Sequence, residues 1–197
     1  MKIYTRKGDD GTTGLLYGGR VRKDAAPIEV NGAVDEAQAA LGMARAETDR
    51  GSELDELLVG LERDLWVLMA EVATAPKNRH KLTPGASLVT EEMVSHLEHQ
   101  IDDVSERFKA PKEFTVPGQS RTAACLDLAR TVVRRSERLA LGLELGDLSQ
   151  VLPYLNRLSD LCWTLARWQE GEHLLARGGD AAKSDGANDS PAGGDSA

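Results

Sequence analysis

Between Ala129 and Arg138 the chain reads Ala-Arg-Thr-Val-Val-Arg-Arg-Ser-Glu-Arg, set inside a longer apolar helical pattern. At the 3.6-residue period Arg130, Arg134, Glu137 and Arg138 share one side of the cylinder, while Cys125, Leu128, Val132, Ser136, Leu139 and Leu143 share the other. Three guanidiniums with one carboxylate among them repel each other unless an anion lies between them. The planar fork of arginine matches phosphate oxygens two at a time. The stretch therefore reads as a polyanion site backed by a packing face. A solvated helix face with ion pairs to Glu137 has the same pattern, and this stretch alone leaves both readings open.

A second candidate lies in the first 26 residues. Thr5-Arg6-Lys7-Gly8-Asp9-Asp10-Gly11-Thr12-Thr13-Gly14 is followed by Gly18-Gly19-Arg20-Val21-Arg22-Lys23. Glycines at this density let backbone amides approach a ligand, and Thr5, Thr12 and Thr13 add hydroxyl donors. The loop reads as a phosphate cradle of an unfamiliar kind. It is not a Walker A loop, because no Gly-Lys-Ser/Thr follows the glycines. A flexible N-terminal arm would look much the same.

The elements that must carry these residues are helical. Pro27 suits a first turn, and Ile28, Val34, Ala37, Leu41 and Ala44 recur at helical spacing to about Glu47. On that helix Asn31, Asp35 and Gln38 form a polar stripe, either a face against another chain or ligand or simply a wet surface. Ser52 caps a second helix with a broad leucine face from Leu54 to Val72, and Pro76 to Ser87 reads as a loop. Thr90 opens a third, with Val94, Leu97, Ile101, Val104 and Phe108 as its seam. Its His96 and His99 have metal-ligand spacing but no third ligand, a combination usual for surface histidines.

Pro111 closes that helix. Phe114-Thr115-Val116-Pro117-Gly118 then leads, extended, into the arginine-bearing fourth helix, which ends at Gly142 and Gly146. Phe114 either plugs the end of the bundle or lines a pocket faced by the arginines. A fifth helix starts at Ser149, with Leu155, Leu158, Cys162 and Leu165 as its seam and Asn156 and Asp160 as a polar pair at the edge. The only strand signal is a short piece near Ile3. The expected fold is all-α: a five-helix up-and-down bundle (27–177) with a Gly-rich N-terminal arm (1–26) and a disordered acidic tail (178–197). The tail holds four Asp, one Lys and no aliphatic side chain larger than Ala.

The 197 residues suit one domain with a core, and the 4% aromatic content requires that core to be Leu, Val and Ala. With 24 basic against 32 acidic side chains the net charge is −8, so a nucleic-acid backbone is repelled except at a local basic pocket. Cys125 and Cys162 both fall on apolar helical faces and read as buried free thiols of a reducing compartment. The first residues form no signal-peptide pattern, and no run approaches the ~18 apolar residues of a membrane span. No membrane or nucleic-acid partner is expected, and the expected location is cytoplasmic.

Taken together, three stretches resemble the PduO-type ATP:cob(I)alamin adenosyltransferases. They are Thr5 to Thr13, the run Phe114 to Gly118 with Ala129 to Arg138, and Tyr154-Leu155-Asn156-Arg157-Leu158-Ser159-Asp160. The likeness spans residues 3–168. Two positions depart from the family pattern: Ala37-Gln38 stands where Leu-Asn is usual, and Gln119 where a second glycine is usual. The resemblance implies a transferase that moves the 5′-deoxyadenosyl group of ATP to cob(I)alamin, giving adenosylcobalamin and triphosphate. It implies a homotrimer with active sites between subunits. Thr5, Arg6, Gly8, Asp9, Gly11, Thr12, Thr13, Lys23, Arg134, Glu137, Arg138 and Asn156 would hold ATP. Asp35 and Arg130 would join adjacent subunits and shape the corrinoid side, where Phe114 would displace the lower axial base. Arg134, Asn156, Asp35 and Arg130 would be the catalytic set, with Arg135 in support. Mg²⁺ is expected on the triphosphate and not on protein ligands. A reductase and an adenosylcobalamin-dependent mutase are the implied partners. On the residues alone, a nucleotide-dependent kinase or hydrolase and a non-catalytic carrier of nucleotide or corrinoid stay open.

Overall fold

The computed structural model describes residues 3–177, so the expected tail (178–197) lies outside the described residues. Five α-helices form the body: α1 (Ala26–Ala46), α2 (Glu53–Val72), α3 (Glu91–Ser105), α4 (Arg121–Ala140) and α5 (Val151–Glu170). Their starts are written in short-range chemistry. Pro27 occupies the first turn of α1, while the hydroxyls of Ser52, Thr90 and Ser120 accept hydrogen bonds from the amides of Asp55, Met93 and Ala123.

Side-chain pairs across the helices establish alternating direction. Arg45 at the end of α1 meets Asp55 at the start of α2 at 2.7 Å, and Arg107 just after α3 meets Glu53 at 2.6 Å. Thr122 and Arg135 of α4 meet Glu47 and Glu36 in reverse order along α1. Ser120 reaches Gln169 while Asn156 reaches Glu137, so α4 and α5 are antiparallel. The up-and-down expectation holds. α4 sits between α1 and α5, and α5 also packs on α3.

The core is aliphatic. Leu41, Leu58, Leu65, Leu68, Leu126, Leu155, Leu158, Leu161 and Leu165 are fully enclosed, each contributing on the order of 1.5–3 kcal/mol by leaving water. Ala33, Ala37, Ala40 and Ala44 on α1 and Ala129 on α4 are buried too. Their small side chains let the helices approach closely.

Four sequence expectations change. No strand forms at Ile3; instead β1 (Thr12–Gly14) and β2 (Arg20–Arg22) pair antiparallel inside the Gly-rich arm, with Thr13 opposite Val21. Tyr17, Gly18 and Gly19, all at positive φ, let the chain reverse between them. The segment after Pro76 is a 3₁₀ helix, Pro76–Lys81, before it becomes a loop. The fifth helix begins at Val151 and not at Ser149, whose hydroxyl donates to the buried Glu71 carboxylate at 2.6 Å and accepts from the Val151 amide at 3.4 Å. Leu128 is 47% exposed although the periodicity placed it on the packing face. α4 is flanked on two sides, so its buried arc runs through Ala123, Leu126, Ala129, Val133 and Ala140 and turns Leu128 outward.

Candidate active site

The arm is a built structure. Asp10 accepts from the amide of Thr12 at 2.9 Å and from its hydroxyl at 2.8 Å, and these two donors hold its carboxyl below the usual range. Arg20 spans the hairpin, donating to the Thr12 hydroxyl and to the Lys7 carbonyl. The Lys23 amide donates to the Gly11 carbonyl at 2.9 Å. A Cβ on Gly8 would lie 3.2 Å from the Lys23 ammonium nitrogen, so the glycine is what lets that cation settle over the loop. Thr5, Arg6 and Asp9 are exposed in the same loop, and Thr13 lies half-buried on β1.

The hairpin is anchored to the end of α2. The Leu16 amide donates to Ala73 at 2.9 Å, and the Asn78 amide group donates to the carbonyls of Tyr17 and Gly18. Behind this anchor stands Glu71, whose side chain is wholly buried. It takes hydrogen bonds from Arg79, Ser149 and the Val89 amide. One carboxylate thus ties the 3₁₀ helix, the loop before α3 and the entry to α5 into a single floor. Sequence reading missed it because a glutamate near a helix end looks like any surface charge.

On α4 the charged stripe divides. Arg134 and Arg138 are exposed, and among the described residues no carboxylate lies within ion-pair distance of either, or of Lys23. Arg138 donates back to the Arg134 carbonyl at 2.9 Å. Glu137 accepts from Asn156 of α5 at 3.0 Å, so these two candidates do meet. Asp160, the other half of the polar pair, is taken by Arg157 at 2.6 Å. Arg135 binds Glu36 and serves to join α1 to α4.

Arg130, two turns before Arg138, belongs to a different surrounding. It donates to the buried Asp127 at 3.3 Å and lines a cavity of about 500 Å³ together with Phe114, Thr115, Trp163 and Arg167. Phe114 is 89% exposed, so it stands at the lip of this cavity and does not plug the bundle. Asp35 is exposed on α1 and, among the described residues, has no ion-pair partner. His96 is bonded to Gln100, and among the described residues no three His, Cys, Asp or Glu side chains gather as a metal cage. No helix among them is long and apolar enough to cross a membrane.

Comparison with known proteins assigns the family. The sequence profile of the cobalamin adenosyltransferase family covers residues 3–169. The chain belongs to that family. A corrinoid adenosyltransferase of Citrobacter freundii is 40% identical over 171 residues, covering 86% of this chain and 95% of its own length. One from Mycobacterium bovis is 38% identical over 189 residues, covering 93% and 97%. Among solved structures, a variant of the PduO-type ATP:corrinoid adenosyltransferase from Lactobacillus reuteri, complexed with cobalamin and ATP, superimposes with a TM-score of 0.79 at 28% identity, over 90% of this chain and 97% of that one. A second variant of that enzyme, complexed with ATP, gives 0.78 at 27% identity, over 89% and 100%. The chain is accordingly a PduO-type transferase, and its activity is ATP-dependent transfer of an adenosyl group to a corrinoid.

Proposed function

We propose that the chain joins the 5′ carbon of ATP to the cobalt of cob(I)alamin and releases triphosphate, with the residues named above divided between the two substrates. Cob(I)alamin supplies the electron pair of the new cobalt–carbon bond, and the breaking carbon–oxygen bond leaves its pair on triphosphate. No proton moves, so no general base is required. The protein aligns cobalt, carbon and leaving oxygen, and it meets the charge gathering on the triphosphate. Exposed Arg134 and Arg138, without carboxylate partners among the described residues and one and two turns from Arg130, are the observation that carries this reading. Isolated guanidiniums of this kind are stabilised when a polyanion settles between them.

Thr5, Arg6, Gly8, Asp9, Gly11, Thr12, Thr13 and Lys23 form the second jaw on the nucleotide, and Glu137 with Asn156 orients its sugar side. Phosphate oxygens are the hard donors that Mg²⁺ takes, so the nucleotide would bring that ion with it. Bound there, Mg²⁺ would neutralise charge on the leaving group. Phe114 blocks the lower face of cobalt and keeps water from it, which eases reduction of cobalt(II) before transfer.

The working form is a homotrimer, in which the arm of one subunit faces α4 of the next. Two observations support this. The arm of a single chain is tied to α2 and the 3₁₀ helix, and Asp35 offers an exposed carboxylate to the Arg130 of a neighbour. The free thiols Cys125 and Cys162 fit a reducing cytoplasm, where a reductase supplies cobalt(I) and a mutase takes the product. Mixing the protein with ATP, Mg²⁺ and chemically reduced cobalamin tests the reaction. The corrinoid spectrum should change to that of an alkylated cobalt, with triphosphate as the other product. ADP or AMP in place of triphosphate would mean phosphoryl chemistry and sink the proposal.

A further inference from the structure

The largest fully buried side chain among the described residues is a charged one, Arg167 of α5, and the proposed ATP half of the site makes no use of it. Its guanidinium donates to Asp127 at 2.5 Å, to the Thr115 hydroxyl at 2.7 Å and to Glu170 at 2.9 Å. The Arg167 side chain is 2% exposed, that of Asp127 6% and that of Glu170 0%. With Arg130 on the other oxygen of Asp127, the cluster holds two guanidiniums and two carboxylates, and its formal charges cancel. Glu170 also meets His173 at 3.1 Å, whose other ring nitrogen meets the Lys109 carbonyl at 3.2 Å.

Each arm of this network ends on something the corrinoid would touch. Asp127 holds Arg130 by its Nε and is its only hydrogen-bond partner among the described residues, which leaves the terminal nitrogens available to a ligand. Thr115 is the neighbour of Phe114. Its side chain turns inward to Arg167 while that of Phe114 turns out to solvent, the alternation of an extended strand. The same strand is pinned from behind, because the Val116 amide donates to Leu174 and the Ala176 amide to Phe114, both at 2.7 Å. His173, one residue before Leu174, is bound to Glu170. A buried ion cluster is a weak source of net stability, because desolvation offsets most of its attraction. Its attested use is to fix one geometry.

We propose that Arg167 is the positioning residue of the corrinoid side, fixing Arg130 through Asp127 and the Phe114 strand through Thr115, so that the cation and the aromatic keep one spacing across the cavity. The proposal rests on the reading of Phe114 and Arg130 as corrinoid-facing. Thr115 tests it with the least disturbance, because Thr115→Val keeps the shape and removes only the hydroxyl that Arg167 reaches. Losing one such hydrogen bond should raise the KM for cobalamin by about three- to ten-fold. It should also lower the share of cobalt(II) corrinoid with its base displaced, read from the optical and electron-spin spectra. The KM for ATP should stay within about two-fold, a change smaller than one weak hydrogen bond. Thr115→Ser, which keeps the hydroxyl, should restore both readouts. Arg167→Lys should give the larger version of the same corrinoid-only defect if it folds. Thr115→Val with wild-type cobalamin KM and spectra, or with ATP and cobalamin affected equally, overturns the proposal. Phe114→Ala in the same assays separates the two layers. If it loses the base-displaced signal while Thr115→Val does not, the positioning role alone fails; if Phe114→Ala changes neither, the corrinoid reading itself fails.

Discussion

The two halves of α4 hold arginine in opposite ways. Around Arg134 and Arg138 the guanidiniums are exposed and uncompensated among the described residues, whereas Arg130 and the nearby Arg167 are locked to the buried carboxylate of Asp127. The first arrangement is the one that the proposed triphosphate, with several negative charges of its own, would fill. The second has spent its charge internally, so what it presents to a ligand is position. A triphosphate needs counter-charge as it leaves; a corrin ring needs a surface of fixed shape.

Removing Arg134 should break the charged half outright. Arg134→Ala is expected to lower kcat/KM by about 10²- to 10³-fold, the usual cost of one donor to a developing anion, measured by the rate of corrinoid alkylation. An effect under ten-fold would move the triphosphate elsewhere. Glu71→Ala should act through the scaffold instead. It strands Arg79, the Ser149 hydroxyl and the Val89 amide, and denaturant titration should show a loss of about 3 kcal/mol, the scale for breaking a buried pair. If the proposed trimer is the working form, reversing Asp35 to Lys should convert it to smaller species on a sizing column and raise the cobalamin KM. Retention of an unchanged trimer would assign its exposed carboxylate to solvent.

Salt sharpens the contrast without any mutation. Raising ionic strength shortens the screening length to about 3 Å at 1 M, so the ATP KM should climb several-fold while the cobalamin KM stays nearly flat. The smallest effect concerns Cys162, whose thiol is pushed up to about 12 by complete burial. At pH 8 it should resist alkylation in the native protein and label fully once unfolded. The half-buried Cys125 is the internal reference, read by mass spectrometry.

Much of this was legible in local pattern. The spacing of Leu54 to Val72 and the caps at Ser52 and Thr90 located two helices, because apolar period and capping hydrogen bonds involve residues within a turn of each other. Motif likeness assigned Glu137 and Asn156 to the same ligand, but their direct hydrogen bond is a tertiary contact that no local pattern announced. The hairpin in the arm was not legible. Its strands are three residues each, too short for a period, and they pair where the chain reverses through Leu15 to Gly19, with Arg20 reaching the Thr12 hydroxyl across the strands. Arg167 escaped for a related reason: it lies in the last turn of α5, where a charge usually frays into water. The signal available was Asp127 and Arg167 each standing in a leucine-rich run, although nothing in the linear order pairs positions forty residues apart.

By itself, then, the amino-acid order determined the class of fold, the helix limits to within a few residues and the candidates for gripping a phosphate, since these depend on neighbours along the chain. Tertiary structure alone decided which arginines stay exposed and which are neutralised. That outcome depends on whether a carboxylate from another helix reaches each guanidinium, and on how far packing on two flanks of α4 turns its buried arc away from the single stripe that periodicity draws.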